Sequence, residues 1–122
     1  EVRHESFRCP EYLAIARGLG VTTVFAHDDR YPQIADLTGD FVYARLRQSV
    51  ASEPTGYAPN TLSAWAARAS AWASGHEPGD LPRIERSSNP RARDVFIFFI
   101  NGAKERAPAA ARHLITLLDR WV

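Results

Sequence analysis

The sequence predicts an α/β domain in which four parallel strands carry covering helices. The strongest observation is the run DVFIFFIN at 94–101, in which six consecutive β-branched or aromatic residues stand between a charge and an Asn-Gly pair. Such a run is typical of a strand buried on both faces of a parallel sheet. Strand-like and helix-like segments also alternate along the chain, which favours parallel strands joined by right-handed crossovers. Four such strands form either a small open sheet or half of a TIM-type (βα)8 barrel.

The first forty residues contain two predicted strands and one helix. The short segment 1–4 is a candidate first strand, and 21–26 is rich in β-branched and aromatic residues, which predicts the second strand. A helix is expected over 10–17, because proline suits its first turn and glycines follow its end. The stretch 28–40 has proline and glycine without helical periodicity, so it is predicted to be a connection.

Side chains alternate in character along 41–47, the third predicted strand. Period two places Phe41, Tyr43, Arg45 and Arg47 on one face and Val42, Ala44 and Leu46 on the other. The second face is small and apolar, as a face packed under helices should be. The first face is expected to look into a polar interior or a mouth.

The clearest helical pattern follows this strand. A cap at Asn60 or Thr61 is expected to begin a helix that runs to about Ser74, just before a glycine. Leucine, tryptophan and alanine recur within it at steps of three and four, which predicts one apolar stripe.

The last part of the chain contains a predicted loop insertion and a final helix. Residues 76–93 are rich in proline, serine and arginine and lack periodicity, so they predict an exposed loop. After the strand at 94–101, Ala107-Pro108 starts the last helix. Its expected apolar face consists of Ala111, Leu114, Ile115, Leu118 and Trp121. The whole pattern fits one domain over residues 1–122.

Composition narrows the classes of function. Fifteen basic residues oppose fourteen acidic ones, for a net charge of +1, so bulk charge makes no case for nucleic acid or a membrane surface. No run approaches the roughly 18 apolar residues that a membrane helix needs, and no signal peptide is visible. The single cysteine, Cys9, fits a reducing compartment. We expect a cytoplasmic protein without a cofactor. Because the sequence has no methionine, we also expect a piece of a longer chain.

Several short motifs stand near the ends of these elements. They are EVRHESF at 1–7, FVYARL at 41–46, Gly56-Tyr57 followed by Leu62 and Trp65, FFIN at 98–101, and Ala107-Pro108 with Ala111. Together they resemble the YecE-like family, the proteins grouped as domain of unknown function 72. This sequence departs from the family pattern at Arg47-Gln48, where His-Gly is usual, and at Ile100, where asparagine is common. Family members are longer and similar to TIM barrels, so the resemblance implies that this chain is a C-terminal half-barrel.

Candidate ligand-binding residues gather where the predicted strands end, which is where chemistry sits in a barrel of this type. They are Arg3, Arg45, Arg47 and Asn101, together with Tyr57 on a long loop over the mouth. Arg45 and Arg47 could hold a carboxylate or phosphate through bidentate hydrogen bonds. The alternative is a buried layer of ion pairs with Glu1, Asp28 or Asp40. The alternatives for Asn101 and Tyr57 are a simple turn and an ordinary surface tyrosine.

Two histidines are the candidate catalytic residues. His4 and His27 follow the first two predicted strands, and imidazole can act as general acid or base because it titrates near neutrality. The alternative for each is a hydrogen-bonded structural role. No spacing typical of a metal site is present, so no metal ligand is predicted.

Three hypotheses about function remain open on the sequence alone. The first is an enzyme or enzyme half that acts by acid–base chemistry, of a hydrolase or lyase type, on a small anionic molecule. The second is a binding or assembly module whose exposed sheet recruits a partner. The third is an inactive fragment of a longer enzyme. Since a half-barrel leaves strand edges and an inner face open, we expect either a homodimer or pairing with a missing N-terminal half.

Overall fold

The computed structural model describes residues 1–85 and 90–119, and these residues form a three-stranded sheet with three α-helices. In chain order the elements are α1 (Pro10–Leu19), β1 (Phe25–His27), β2 (Phe41–Leu46), α2 (Pro59–Ala73), β3 (Asp94–Phe99) and α3 (Ala107–Asp119). Short 3-10 turns cover Glu5–Phe7 and Lys104–Arg106. The mixed α/β class is therefore confirmed.

The three strands are parallel and lie in the order β1, β2, β3. The register places Leu46, the last residue of β2, opposite His27 in β1 and Phe99 in β3. All three strands therefore end at the same level, and the residues that follow them lie along one edge of the sheet.

The prediction of a strand at residues 1–4 is wrong. In the described residues this segment pairs with no strand, and the ring nitrogen Nδ1 of His4 accepts a hydrogen bond from the backbone N–H of Ser6 at the start of the Glu5–Phe7 turn. A strand needs a neighbour for its backbone groups, and this segment has none. The predicted fourth strand is thus absent from the described sheet, and the half-barrel is not confirmed.

The core lies between one face of the sheet and the helices α2 and α3. Val42, Ala44 and Leu46 are at most 2% exposed, which confirms the alternation predicted for 41–47. Trp65 and Trp72 of α2 are completely buried against this face. Parallel strands with a helix between them place that helix over the sheet, so α2 covers the residues that the pattern marks as apolar.

The other face of the sheet is open, and the prediction that 94–101 is buried on both faces is wrong. Phe96 is 47% exposed and Phe98 43% exposed, whereas Val95, Ile97 and Phe99 pack against the core. No described element covers this side. We call the surface formed by Phe41, Tyr43, Phe96 and Phe98 the open face.

The loop 76–93 is anchored to the rest of the domain through residues 81–85. Its residues 86–89 lie outside the described residues. The carboxylate of Asp36, which is 2% exposed, accepts hydrogen bonds from the backbone N–H groups of Ile84 (2.7 Å) and Glu85 (2.9 Å). Leu81 joins the core. On α3, Leu114 is buried and Ile115 is 57% exposed, and the predicted core residue Trp121 lies outside the described residues.

Candidate functional site

The carboxyl-terminal edge of the sheet brings together side chains from all three strand ends. Asp28 follows β1, Arg47 follows β2 and Asn101 follows β3 by two residues. Nε of Arg47 lies 2.9 Å from the Oδ2 atom of Asp28. The parallel topology therefore produces the convergence that the sequence predicts for Arg47 and Asn101.

Arg47 is the buried centre of this edge. Its side chain is 7% exposed. The carboxamide of Asn101 is assigned with its oxygen toward the guanidinium, because in this orientation the oxygen accepts from Nε at 3.2 Å and from Nη2. Asn101 has φ 58°, a left-handed conformation that asparagine tolerates better than most residues. Nη1 of Arg47 is also buried and has no hydrogen-bond acceptor among the described residues.

Glu1 provides a carboxylate that two further arginines hold at the rim. Nη1 of Arg45 donates to its Oε1 at 2.7 Å, and Nε of Arg3 donates to its Oε2 at 2.8 Å. The Glu1 side chain is 11% exposed, against 28% for Arg45 and 52% for Arg3. Partial burial opposes ionisation, but the hydrogen bonds and charges of the two arginines prevail and lower the pKa of Glu1. Glu1 is therefore an anion at neutral pH.

A tyrosine lies among these guanidinium groups. The carbon Cζ of Arg3 is 4.8 Å from the centroid of the Tyr31 ring, and those of Arg30 and Arg47 are each 5.6 Å from it. These distances allow cation–π attraction, which stabilises the guanidinium groups against the ring. Periodicity could not identify Tyr31, because this residue lies in the irregular connection between β1 and β2.

His27 lies on the opposite side of the sheet from the arginines. Its register partner Leu46 belongs to the covered face, and its ring centroid is 5.1 Å from that of Trp65 in α2. The atom Nδ1 is buried and has no hydrogen-bond partner in the described residues. Burial, followed by the positive charge of Arg68, lowers the pKa of His27. The structure thus places this predicted catalytic residue in the packing under α2.

The other two candidate residues, His4 and Tyr57, form hydrogen bonds with nearby groups of the protein. His4 is exposed, and its Nδ1 lies 2.8 Å from Ser6 Oγ as well as accepting from the Ser6 backbone. Tyr57 is 5% exposed, its hydroxyl accepts from the backbone N–H of Gln48 at 3.1 Å, and its ring contacts Phe99. Burial raises the pKa of the Tyr57 phenol. Tyr57 is therefore part of the core beneath the strand ends.

Arg45 and Arg47 both form ion pairs, as expected from the alternative in which these arginines belong to a buried layer of ion pairs. Arg45 pairs with Glu1, and Arg47 pairs with Asp28. These pairs leave donors unused, because Nε and Nη2 of Arg45 have no acceptor among the described residues and Nη1 of Arg47 has none either. The edge can therefore still donate hydrogen bonds to an added oxygen atom. The described residues contain no group of three or more His, Cys, Asp and Glu side chains that could hold a metal ion.

Comparison with known proteins gives one match. No curated protein and no solved structure matches the chain. Within the described residues, no helix combines the length and apolar character that crossing a membrane requires. A family model described as "Protein of unknown function DUF72" matches residues 1–121. The match does not bear out the expectation that the chain is a C-terminal half. Since the match covers nearly every residue, the chain belongs to the DUF72 family.

Proposed function

We propose that this domain binds a small carboxylate or phosphate ligand at the carboxyl-terminal edge of its sheet. The observation that carries the proposal is the guanidinium of Arg47, which is buried yet keeps Nη1 without an acceptor among the described residues. A buried donor without a partner costs about 1–3 kcal/mol, and more when it is charged. A ligand oxygen at this position would remove that cost.

Each arginine has a distinct part in this proposal. Arg45 is partly exposed and offers Nε and Nη2 to the anion, since only its Nη1 is engaged, by Glu1. Asn101 orients Arg47 by accepting from two of its nitrogens. Arg3 lies at the rim and contributes positive charge. Bidentate hydrogen bonding of this kind matches the geometry of carboxylate and phosphate oxygens.

If the bound ligand reacts by acid–base chemistry, carboxylate side chains at this edge are better placed to transfer the proton than the two histidines. Glu1 and Asp28 both contact the arginines, whereas His27 lies under α2 and His4 bonds to Ser6 at the surface. Of the two histidines, exposed His4 is the one that a ligand could reach.

The anion proposal is tested by titrating the protein calorimetrically with inorganic phosphate and with acetate. We expect Arg45→Ala to weaken binding at least about tenfold, because a hydrogen bond to a charged group contributes about 1.5–3 kcal/mol. The free energy of unfolding should change by no more than about 1 kcal/mol, since the side chain is partly exposed. Arg112→Ala on α3, which also removes an exposed arginine, is the matched control and should leave binding unchanged. Unchanged binding in folded Arg45→Ala, or a wild-type chain that binds neither ion, would refute the proposal. Unfolding of the variant would show that Arg45 is structural.

A second candidate function is assembly through the open face, as a homodimer. The observation in its favour is the pair of exposed aromatic contacts there, Phe41 with Phe96 at 5.8 Å and Tyr43 with Phe98 at 4.9 Å between ring centroids. Contiguous exposed apolar surface of this kind often marks a site of protein association. Sedimentation velocity over a range of protein concentrations measures whether two copies of the chain associate.

A further inference from the structure

The gap between the side chains of Arg47 and Glu1 indicates which second chemical group the ligand carries in addition to its anionic group. Nη1 of Arg47 and Oε2 of Glu1 are 4.0 Å apart. This separation is too long for a direct hydrogen bond, which needs about 2.7–3.2 Å. One oxygen atom placed between them can lie within hydrogen-bond distance of both. A single bridging atom is therefore what this separation matches.

The two sides of the gap require opposite hydrogen-bonding roles. A guanidinium N–H can only donate, and an ionised carboxylate can only accept. Glu1 is held in its ionised form by the hydrogen bonds of Arg3 and Arg45. The bridging group must accept from Arg47 and donate to Glu1, which a hydroxyl group does and which a carboxylate, ether or ketone oxygen does not.

The anion position lies next to this hydroxyl position because both border the same carboxylate. Oε1 of Glu1 binds Nη1 of Arg45, and Oε2 faces Arg47 across the gap. The two nitrogens of Arg45 that have no acceptor, Nε and Nη2, lie in the same guanidinium plane as the Nη1 atom that binds Glu1. The hydroxyl and the anionic group of the ligand should therefore stand close together, as they do on neighbouring carbons.

We propose that the ligand of this site is a small hydroxylated carboxylate, whose hydroxyl bridges Arg47 and Glu1 while its carboxylate binds Arg45. This inference rests on the anion-binding function proposed above and names its ligand class. Glu1 then has two effects. Its carboxylate selects for the hydroxyl group, and it competes with the ligand carboxylate for Arg45.

The test compares glycolate with acetate, because these two ions differ only by one hydroxyl group. Calorimetric titration of the wild-type chain should show glycolate binding at least about tenfold more tightly than acetate, as expected for a hydrogen bond to charged groups. Equal binding of the two ions, as when a water molecule fills the gap, would overturn the inference. This comparison needs no variant and is unaffected by any loss of folding.

A substitution at Glu1 separates its two effects. Glu1→Ala should bring the ratio of glycolate to acetate affinity close to one and should strengthen acetate binding, since Arg45 loses its internal carboxylate. Glu5→Ala, in the exposed turn that follows, is the matched control and should keep the wild-type ratio. Circular dichroism confirms that both variants are folded. A ratio that persists in Glu1→Ala would refute the role of Glu1.

The outcomes distinguish this inference from the proposal on which it depends. If phosphate, acetate and glycolate all fail to bind the wild-type chain, the anion site itself is refuted. If phosphate and acetate bind but glycolate gains nothing, anion binding stands and the hydroxyl inference alone fails.

Discussion

Arg47 and Arg93 are both buried arginines, and they lie at opposite ends of the parallel sheet. Arg93, 8% exposed, donates from Nε to the carbonyl oxygen of Gly39 at 3.0 Å and from Nη1 to that of Arg91 at 3.3 Å. Backbone carbonyls of this sort hold a loop in place. Arg47 instead meets the side chains of Asp28 and Asn101. A buried charge needs partners to offset desolvation. The partners of Arg47 follow the two neighbouring strands, so its guanidinium lies at the edge where the proposed ligand binds.

His27 is expected to make the stability of the protein depend on pH. Burial and the charge of Arg68 outweigh the attraction of Asp28 and Asp29 and lower its pKa in the folded state. As pH falls below the unfolded value of about 6.5, the unfolded chain binds the proton more readily. The free energy of unfolding should therefore decrease from pH 7 toward pH 5, with a slope below the one-proton limit of about 1.4 kcal/mol per pH unit.

Urea titrations at a series of pH values measure this slope. His27→Gln removes the buried imidazole and should flatten the dependence, whatever it does to stability at pH 7. His76→Gln, which replaces an exposed histidine, should keep the wild-type slope. An identical slope in wild type and His27→Gln would show that His27 does not cause the effect.

At the scale of elements, the strand β2 supplies both the core and the site. Val42, Ala44 and Leu46 point toward the helices, and the alternate residues include Arg45 near the carboxyl end. A strand presents successive side chains to opposite faces, so one six-residue segment can meet both needs.

Gly75 lies in the turn that follows α2, and alanine at this position should destabilise the protein. It has φ 90°, and an added Cβ would lie 2.6 Å from the carbonyl carbon of Arg91. Strain of this kind costs about 1–3 kcal/mol. Gly18, inside α1, has nothing within 4 Å of an added Cβ, so Gly18→Ala should instead raise stability by about 0.5–1 kcal/mol.

Chemical denaturation of the two variants checks both signs against the same wild type. A loss in Gly75→Ala together with a gain in Gly18→Ala supports the geometry of the α2 terminus. If Gly75→Ala is as stable as the wild type, the contact with Arg91 is not maintained in solution.

At the scale of the whole molecule, the described helices cover only one of the two faces of the sheet. Helices α2 and α3 bury one face, and the open face leaves Phe41, Phe96 and Phe98 between 41% and 47% exposed. Burying apolar area contributes about 25 cal/mol per Å², so a surface that covers these rings gains free energy. A second copy of the chain is the partner that our assembly candidate names.

Sedimentation velocity should detect a dimer at micromolar concentration if the assembly candidate is right. Phe96→Asp should then shift the equilibrium to monomer, because a charge in the interface opposes desolvation. Ile115→Asp is the control, since Ile115 is 57% exposed on α3 away from the open face. A wild-type monomer throughout the micromolar range would refute the assembly candidate. Loss of the dimer in Ile115→Asp alone would place the interface on α3 instead.

The sequence by itself determined the elements whose patterns are local. The alternation along 41–47, the helix at Pro59–Ala73 and the strand at Asp94–Phe99 all follow from side-chain periodicity. The meeting of Arg47 and Asn101 also follows, because parallel strands end at a common edge. These features depend on short-range geometry, which the order of residues specifies.

The tertiary structure alone decided which surfaces are covered and which groups pair. Residues 1–4 are not a strand because no strand in the described part of the chain bonds to them, and β3 has an open face because no described element lies over it. His27 lies under α2 and Tyr57 in the core because the register and the packing of helices fix each side. Burial and pairing arise between segments distant along the chain, and local periodicity carries no information about those contacts.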